Sequence, residues 1–405
     1  MNNIFFKIFI GIVTGLLFQI NILIADGHLE QKLQEMQEEI DALASVIEEG
    51  GAGGGEDGWW TKTSVGGYGE LHWEMAHLSK DTTDGDPGTT KALDVHRYVT
   101  FIGHQFNKWL SFNSEVELEH AYVKDGNGAV ELEQMYLEQN LGYLGIEDTF
   151  IKYGIFLVPI GIINETHEPP TFYGVERNTV EKVIGANTWW EAGILGQTVL
   201  QENLDFTFAV HSSLDTTTGD IRDGRGKIQE QDGTNLMYTA RVRYTGIPGI
   251  EFAAWHNYAQ DLDNTAASGE ISGSLWGGHM NMSPSEGFGF RALYGWWDLD
   301  CSEGHACVTN GYAYQWGGYI EPSYRISLGG EMDSSVGFWT RISYNDEKAD
   351  DSVASKPSSK VRQYDYGVNY WLSPSAVLKV DYESTKTYTD NKGTHGFNFG
   401  FGYQF

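Results

Sequence analysis

Acidic side chains recur at every second position in parts of this chain, as in Glu115, Glu117 and Glu119, and in Glu131 and Glu133. Residues two apart on an extended strand share a face and lie about 7 Å apart. A carboxylate pair at that distance could serve as the acid and base of a glycoside hydrolase. Arg241 and Arg243 repeat the spacing with basic groups, and Arg291, Arg325, Arg341 and Lys379 fall on the polar face of later stretches. A pattern repeated along so much of the chain describes a charged wall rather than one reactive cleft. His96, His104 and His120 lack a paired nucleophile, and no Gly-x-Ser-x-Gly elbow is present. Asp81-x-x-Asp84-Gly-Asp86 departs from the calcium-loop spacing and reads as a solvated loop. No enzyme, cofactor or metal site is therefore expected. From Trp59 onward there are 46 acidic and 24 basic residues, which argues against a nucleic-acid partner.

The elements that carry these charges are strands. Val65 to Met75, Leu110 to Tyr122, Tyr238 to Tyr244, Phe288 to Tyr294, Tyr364 to Tyr370 and Leu378 to Glu383 alternate apolar with polar or small residues. The terminal His395–Phe405 has Phe397, Phe399, Phe401, Tyr403 and Phe405 on one side, and Asn398, Gly400, Gly402 and Gln404 on the other. A polar inside and an apolar, aromatic outside is the distribution of a barrel in lipid, and the reverse of a soluble sandwich. Turn residues divide the chain into about sixteen strands. The connections alternate between short ones, such as Asn107-Lys108 and Ser373–Ser375, and mostly longer ones, such as Lys124–Gly128 and Pro159–Ala186. The expected fold is all-β: a transmembrane antiparallel β-barrel preceded by a short N-terminal coiled-coil helix. Alternation is poor before Asn107 and over Val130–Leu141, a sign of strands facing a neighbouring subunit.

Four segments are expected. Residues 1–25 read as a cleaved signal peptide, with an uncleaved anchor as the alternative, so the chain is exported. Residues 26–49 carry Leu29, Leu33, Met36, Ile40, Leu43 and Ile47 at heptad spacing, a periplasmic coiled-coil stalk or else a lone amphipathic helix. Residues 50–58 are a Gly-rich linker, and 59–405 form the barrel. Cys301 and Cys307 are expected to join in a disulfide that stiffens a loop, given export. The stalk could clamp an oligomer or contact peptidoglycan.

Thr166-His-Glu-Pro-Pro-Thr-Phe-Tyr-Gly-Val-Glu-Arg-Asn178, followed by Thr188-Trp-Trp-Glu191, resembles the family of phosphate-selective porins O and P. Gly67-Tyr-Gly-Glu-Leu71, His96-Arg97 and the Glu115–His120 stretch add to the likeness. The resemblance implies a homotrimeric sixteen-stranded porin of the Gram-negative outer membrane, in contact with lipid and lipopolysaccharide. It further implies that the 159–186 loop, with Glu165, Glu168, Glu176 and Arg177, folds inward and narrows the pore. Terminal Phe405 would be the signal read by the barrel assembly machinery. The charges themselves suggest an acidic wall from early strands facing a basic wall from late ones. Two functions stay open: a general channel for ions and small hydrophilic solutes with mild cation preference, or an anion (phosphate) channel dominated by the basic wall.

Overall fold

The computed structural model describes residues 58–78, 89–125, 127–185, 187–231, 233–263, 271–350, 359–387 and 393–405. The segments expected as signal peptide, stalk and most of the linker lie outside these residues. Trp59–Lys62 forms one 3₁₀ turn whose two indoles meet edge to face, 6.2 Å apart.

Alternation becomes sixteen strands. They are β1 (Thr63–Leu78), β2 (Thr89–Asn107), β3 (Leu110–Lys124), β4 (Asn127–Asn140), β5 (Thr149–Leu157), β6 (Trp190–Gln201), β7 (Leu204–Ser212) and β8 (Leu236–Ile247). There follow β9 (Ile250–Ala259), β10 (Ile271–Met282), β11 (Gly287–Cys301), β12 (Tyr314–Gly329), β13 (Ser334–Asp346), β14 (Val361–Ser373), β15 (Ala376–Thr387) and β16 (Gly393–Gln404). Every strand pairs antiparallel with its sequence neighbours, and β16 pairs with β1 to close the barrel. Closure leaves no edge with unpaired backbone groups, which lipid would penalise. Its last bonds are a reciprocal pair between Gly67 and Phe405, N–H to carbonyl in each direction at 2.9 and 3.0 Å. Two short helices, α1 (Thr179–Val183) and α2 (Ala306–Asn310), lie in connections. Cys301 and Cys307 form the expected disulfide, linking the end of β11 to α2.

The outward face carries a band of exposed apolar side chains, among them Trp73, Tyr98, Trp276, Phe288, Phe338, Tyr366, Phe397, Phe399 and Phe401. One expected long connection is short: β3 runs to Lys124 and β4 starts at Asn127, so Lys124–Gly128 is a tight turn at the end of a long hairpin. Broken alternation in the early strands has a local cause. Glu70 pairs with Arg97 and Leu71 with Val95, so His96 is an extra residue in β2. Glu115 pairs with Gln134 and Val116 with Leu132, which makes Glu133 the extra residue in β4. A third irregularity follows Glu119 in β3, where His120 adopts a positive φ of 59°. Each bulge turns an additional polar side chain inward.

Candidate pore and its constriction

The connection between β5 and β6 occupies 158–189 and lies inside the barrel. It bonds to strands around most of the circumference: β1 through His72, β3 and β4 through Glu115 and Glu133, β8 through Arg241, β11 through Trp297, and β15 through Asp381. Only a segment in the lumen can touch all of these. Its neck is tied by Asn164, whose amide donates to the carbonyls of Val158 (2.8 Å) and Trp189 (2.9 Å) and accepts from the Trp189 N–H (2.8 Å). Its first bend is tied by buried Glu181, which accepts the N–H groups of Ile162 and Ile163, both at 2.8 Å, and the Tyr319 hydroxyl at 2.6 Å. Gly161 has a φ of +68° there, and a Cβ would stand 2.6 Å from the Glu181 carboxylate, so only glycine fits.

The inner surface departs from the uniformly polar lumen that alternation suggests. Trp255, Leu275, Leu293, Trp297 and Tyr319 form an apolar patch inside β9 to β12. Ile160, Ile162, Ile163, Phe172, Val180 and Ile184 of the loop pack on it. Burying this surface holds the loop against one side of the barrel, at roughly 25 cal/mol per Å² removed from water. The small inner face of β16 also serves the loop: a Cβ on Gly402 would lie 2.2 Å from Pro169, so the glycine leaves room for loop atoms, not water alone.

The structure places each expected charge. Glu115 and Glu117 are buried on the inner face of β3, and Glu119 follows them, half-buried. Glu115 and Glu133 flank the ring of loop residue His167, at 3.4 and 3.5 Å. Burial and the Arg177 charge push the His167 imidazole down, yet its bonds to Glu115 and Glu133 prevail and hold it at about 10. Glu165 pairs with Arg241. Glu168 caps the Pro169–Thr171 turn through its carbonyl. Glu176 accepts from His72 at 2.7 Å. Burial raises the Glu176 carboxyl, but that bond outweighs it and the group sits well below the usual range. Arg177 reaches the carbonyl of His167 at 3.5 Å.

The basic residues of the late strands do not form an open ladder. Arg243 pairs with Asp205 (2.8 Å) and Glu251 (3.6 Å). Arg341 is clamped by Asp365 (2.8 Å) and Glu321 (3.2 Å). Arg291 contacts Glu321 and donates to the Thr171 carbonyl at 2.7 Å. Lys379 donates to the Gly174 carbonyl at 2.8 Å and lies 3.6 Å over the Phe172 ring. The expected acidic and basic walls are thus interleaved: Arg97 sits among the early carboxylates, and Asp365, Asp381 and Glu321 sit among the late cations. The late strands carry carboxylates of their own and β2 carries an arginine, so each wall brings counter-charges within reach of its own residues.

Cavities border the loop among the described residues, two of them roomy. One, of about 460 Å³, is lined by Glu74, Asp94, His96, His120, Glu176, Arg177, Lys182, Glu383 and Asn398 among others. The other, of about 240 Å³, lies against β4 to β7 and includes Gln134, Lys152, Glu165, Gln197 and Thr207. Sequence reasoning did not single out His72, Arg97 or His167 as site residues. The available signal was the failing alternation at His96, Glu133 and His120, which marks the bulges.

These features define a transmembrane antiparallel β-barrel of sixteen strands with a porin fold and an inward loop. The chain is similar in fold to OmpF of Salmonella typhi, with a TM-score of 0.56 and 10% identity over 85% of this chain and 97% of that one. It is also similar to the outer membrane channel DcaP of Acinetobacter baumannii, with a TM-score of 0.55 and 12% identity, covering 85% and 97%. An anion-selective porin from Comamonas acidovorans gives 0.53 and 13%, covering 85% and 100%. In sequence, an uncharacterised protein of Aquifex aeolicus is 26% identical over 374 residues, 81% of this chain and 77% of that protein. No family model matches the chain.

Proposed function

We propose that this protein is an outer-membrane channel through which ions and small hydrophilic solutes diffuse, with a mild preference for cations. The observation that carries the preference is the covering of most of the basic candidates: Arg241, Arg291, Arg341 and Lys379 are buried and occupied by carboxylates or loop carbonyls, while Arg243 and Arg325 stay half-buried. An anion ladder needs accessible positive charge along the path. The larger cavity instead presents four carboxylates, Glu74, Asp94, Glu176 and Glu383, against Arg177 and Lys182. A net negative lining raises local cation concentration within a Debye length of ~8–10 Å. The reversal potential in a salt gradient across a planar bilayer is the test: a cation-selective sign is expected, and a clear anion preference overturns the reading.

The anion (phosphate) channel suggested by the family resemblance keeps one favourable observation. Burial lowers Lys182, and the Arg222 and Arg225 charges push it further down, which marks a cluster of like charges beside the loop. The same measurement decides between the two readings. We further read residues 1–25 as the export signal and 26–49 as a stalk. That stalk would clamp a homotrimer or tether the barrel to peptidoglycan, with lipopolysaccharide around the barrel and the assembly machinery acting on Phe405. Removing 26–55 separates the stalk's roles: lost trimers on native gels mean a clamp, and intact trimers with lost wall attachment mean a tether.

A further inference from the structure

Three imidazoles gather at the larger cavity because the early strands are irregular. His72 faces inward from β1, and its ring stacks on that of His96 at 4.5 Å and 13°. His96 reaches the lumen as the extra residue of the β2 bulge. His120, turned inward at its positive φ, meets Asp94 at 2.8 Å, and Asp94 also lies 3.6 Å from the ring of His96. From the loop side Glu176 approaches His72, and Glu74 makes side-chain contact with Glu176. One donor atom each from His72, His96 and Glu176 lie within 4.8 Å of one another.

We propose that His72, His96 and Glu176 bind a divalent first-row transition-metal ion at the constriction. Asp94, His120 and Glu74 stand ready to complete its shell. Donors around a tetrahedral zinc with bonds of about 2.1 Å are roughly 3.4 Å apart, so small side-chain shifts close the set. Imidazole with carboxylate suits zinc, nickel, copper or iron, whereas calcium and magnesium favour oxygen alone. The supporting shell is in place. The Nε2 of His72 lies 3.3 Å from Glu70, which Arg97 holds at 2.7 Å. A carboxylate on the outer ring nitrogen fixes the tautomer and leaves Nδ1, the atom facing Glu176, to coordinate. A second triad, Glu115, Glu133 and His167, has the same residue types but is wholly buried and acts as a pin. The cavity of about 460 Å³ beside the first triad supplies room for a hydrated ion. Because Glu176 belongs to the loop and the histidines to the wall, a bound ion would lock the constriction in place.

The channel consequence rests on the function proposed above; the binding itself does not. Zn²⁺ and Ni²⁺ titrated into the detergent-solubilised full chain by calorimetry should bind saturably, at about one ion per chain. His96→Ala and His72→Gln should each weaken binding at least tenfold, Glu70→Gln by about 10–100-fold, and His104→Ala should leave it unchanged. An excess of Ca²⁺ should not compete. Absence of saturable binding to the folded wild-type barrel, equal competition by Ca²⁺, or binding indifferent to His96→Ala would each overturn the proposal. In bilayers, Zn²⁺ should reduce wild-type conductance but not that of His96→Ala. Conducting channels without metal binding would sink this inference alone, and metal binding without conductance would sink the channel reading alone.

Discussion

Single residues decide whether the loop stays docked. His167 is buried between two carboxylates, so His167→Ala would strand Glu115 and Glu133 without their cation. Removing one partner from a buried charged group costs about 3–5 kcal/mol. The expected result is a lower unfolding temperature of the barrel and noisier single channels, with His167→Gln less affected because it keeps hydrogen bonds. The pH dependence follows from the same group. Its imidazole is held at about 10, above the ordinary value of roughly 6.5. Its stabilisation is therefore complete below that ordinary value and is lost as pH rises through about 10. Glu176 works in the opposite sense. Its depressed carboxyl stabilises above the ordinary value of roughly 4.3 and loses its effect as pH falls through the depressed one. Conductance noise should thus be lowest between about pH 5 and 9 and rise at strongly alkaline pH. A flat noise profile up to pH 11 would remove His167 from the docking.

At the scale of elements, the 158–189 loop is a packed inner layer rather than a flap. Its apolar side chains rest on the patch inside β9 to β12, and Glu181 fastens its bend. Tyr319→Phe would leave the Glu181 carboxylate one donor short, a cost of about 1–3 kcal/mol. We expect a modest fall in thermal stability and more frequent conductance fluctuations in planar bilayers, with unchanged ion selectivity, since Tyr319 is buried away from the cavity linings. Fluctuations identical to wild type would show that the neck and the apolar patch suffice. The loop's length and its Pro, Phe, Tyr and Trp content marked it for packing inside the barrel or over its rim, and the family resemblance implied the inward fold. Its partners were not legible. Asp381, Tyr319 and Glu115 lie far along the chain from the groups they hold, and nothing in spacing links them to Val175, Glu181 or His167.

For the molecule as a whole, closure between β1 and β16 is the step on which everything else depends. Phe405 stays exposed on the outer face while its backbone bonds reciprocally to Gly67. Phe405→Asp keeps those backbone bonds but places a charge in the apolar girdle, where lipid penalises it. Membrane levels of the mutant should therefore drop markedly while the conductance of the inserted fraction stays near wild type. Normal levels would argue against the terminal residue as an assembly signal.

What the sequence determined by itself is the barrel. A two-residue period and turn residues are local properties, and a closed sheet with one greasy face is their direct consequence in lipid. The aromatic face of His395–Phe405 and the strand number were readable on those grounds, whereas the inward loop was implied by the family resemblance. Which charges meet was decided only by the tertiary structure. Register sets which side chains of neighbouring strands face each other, bulges at His96 and Glu133 shift the parity of the alternation, and the loop crosses the lumen to residues some two hundred positions away. The glycines of β16 make the difference concrete: by pattern they face a lumen, and by structure Gly402 makes room for Pro169.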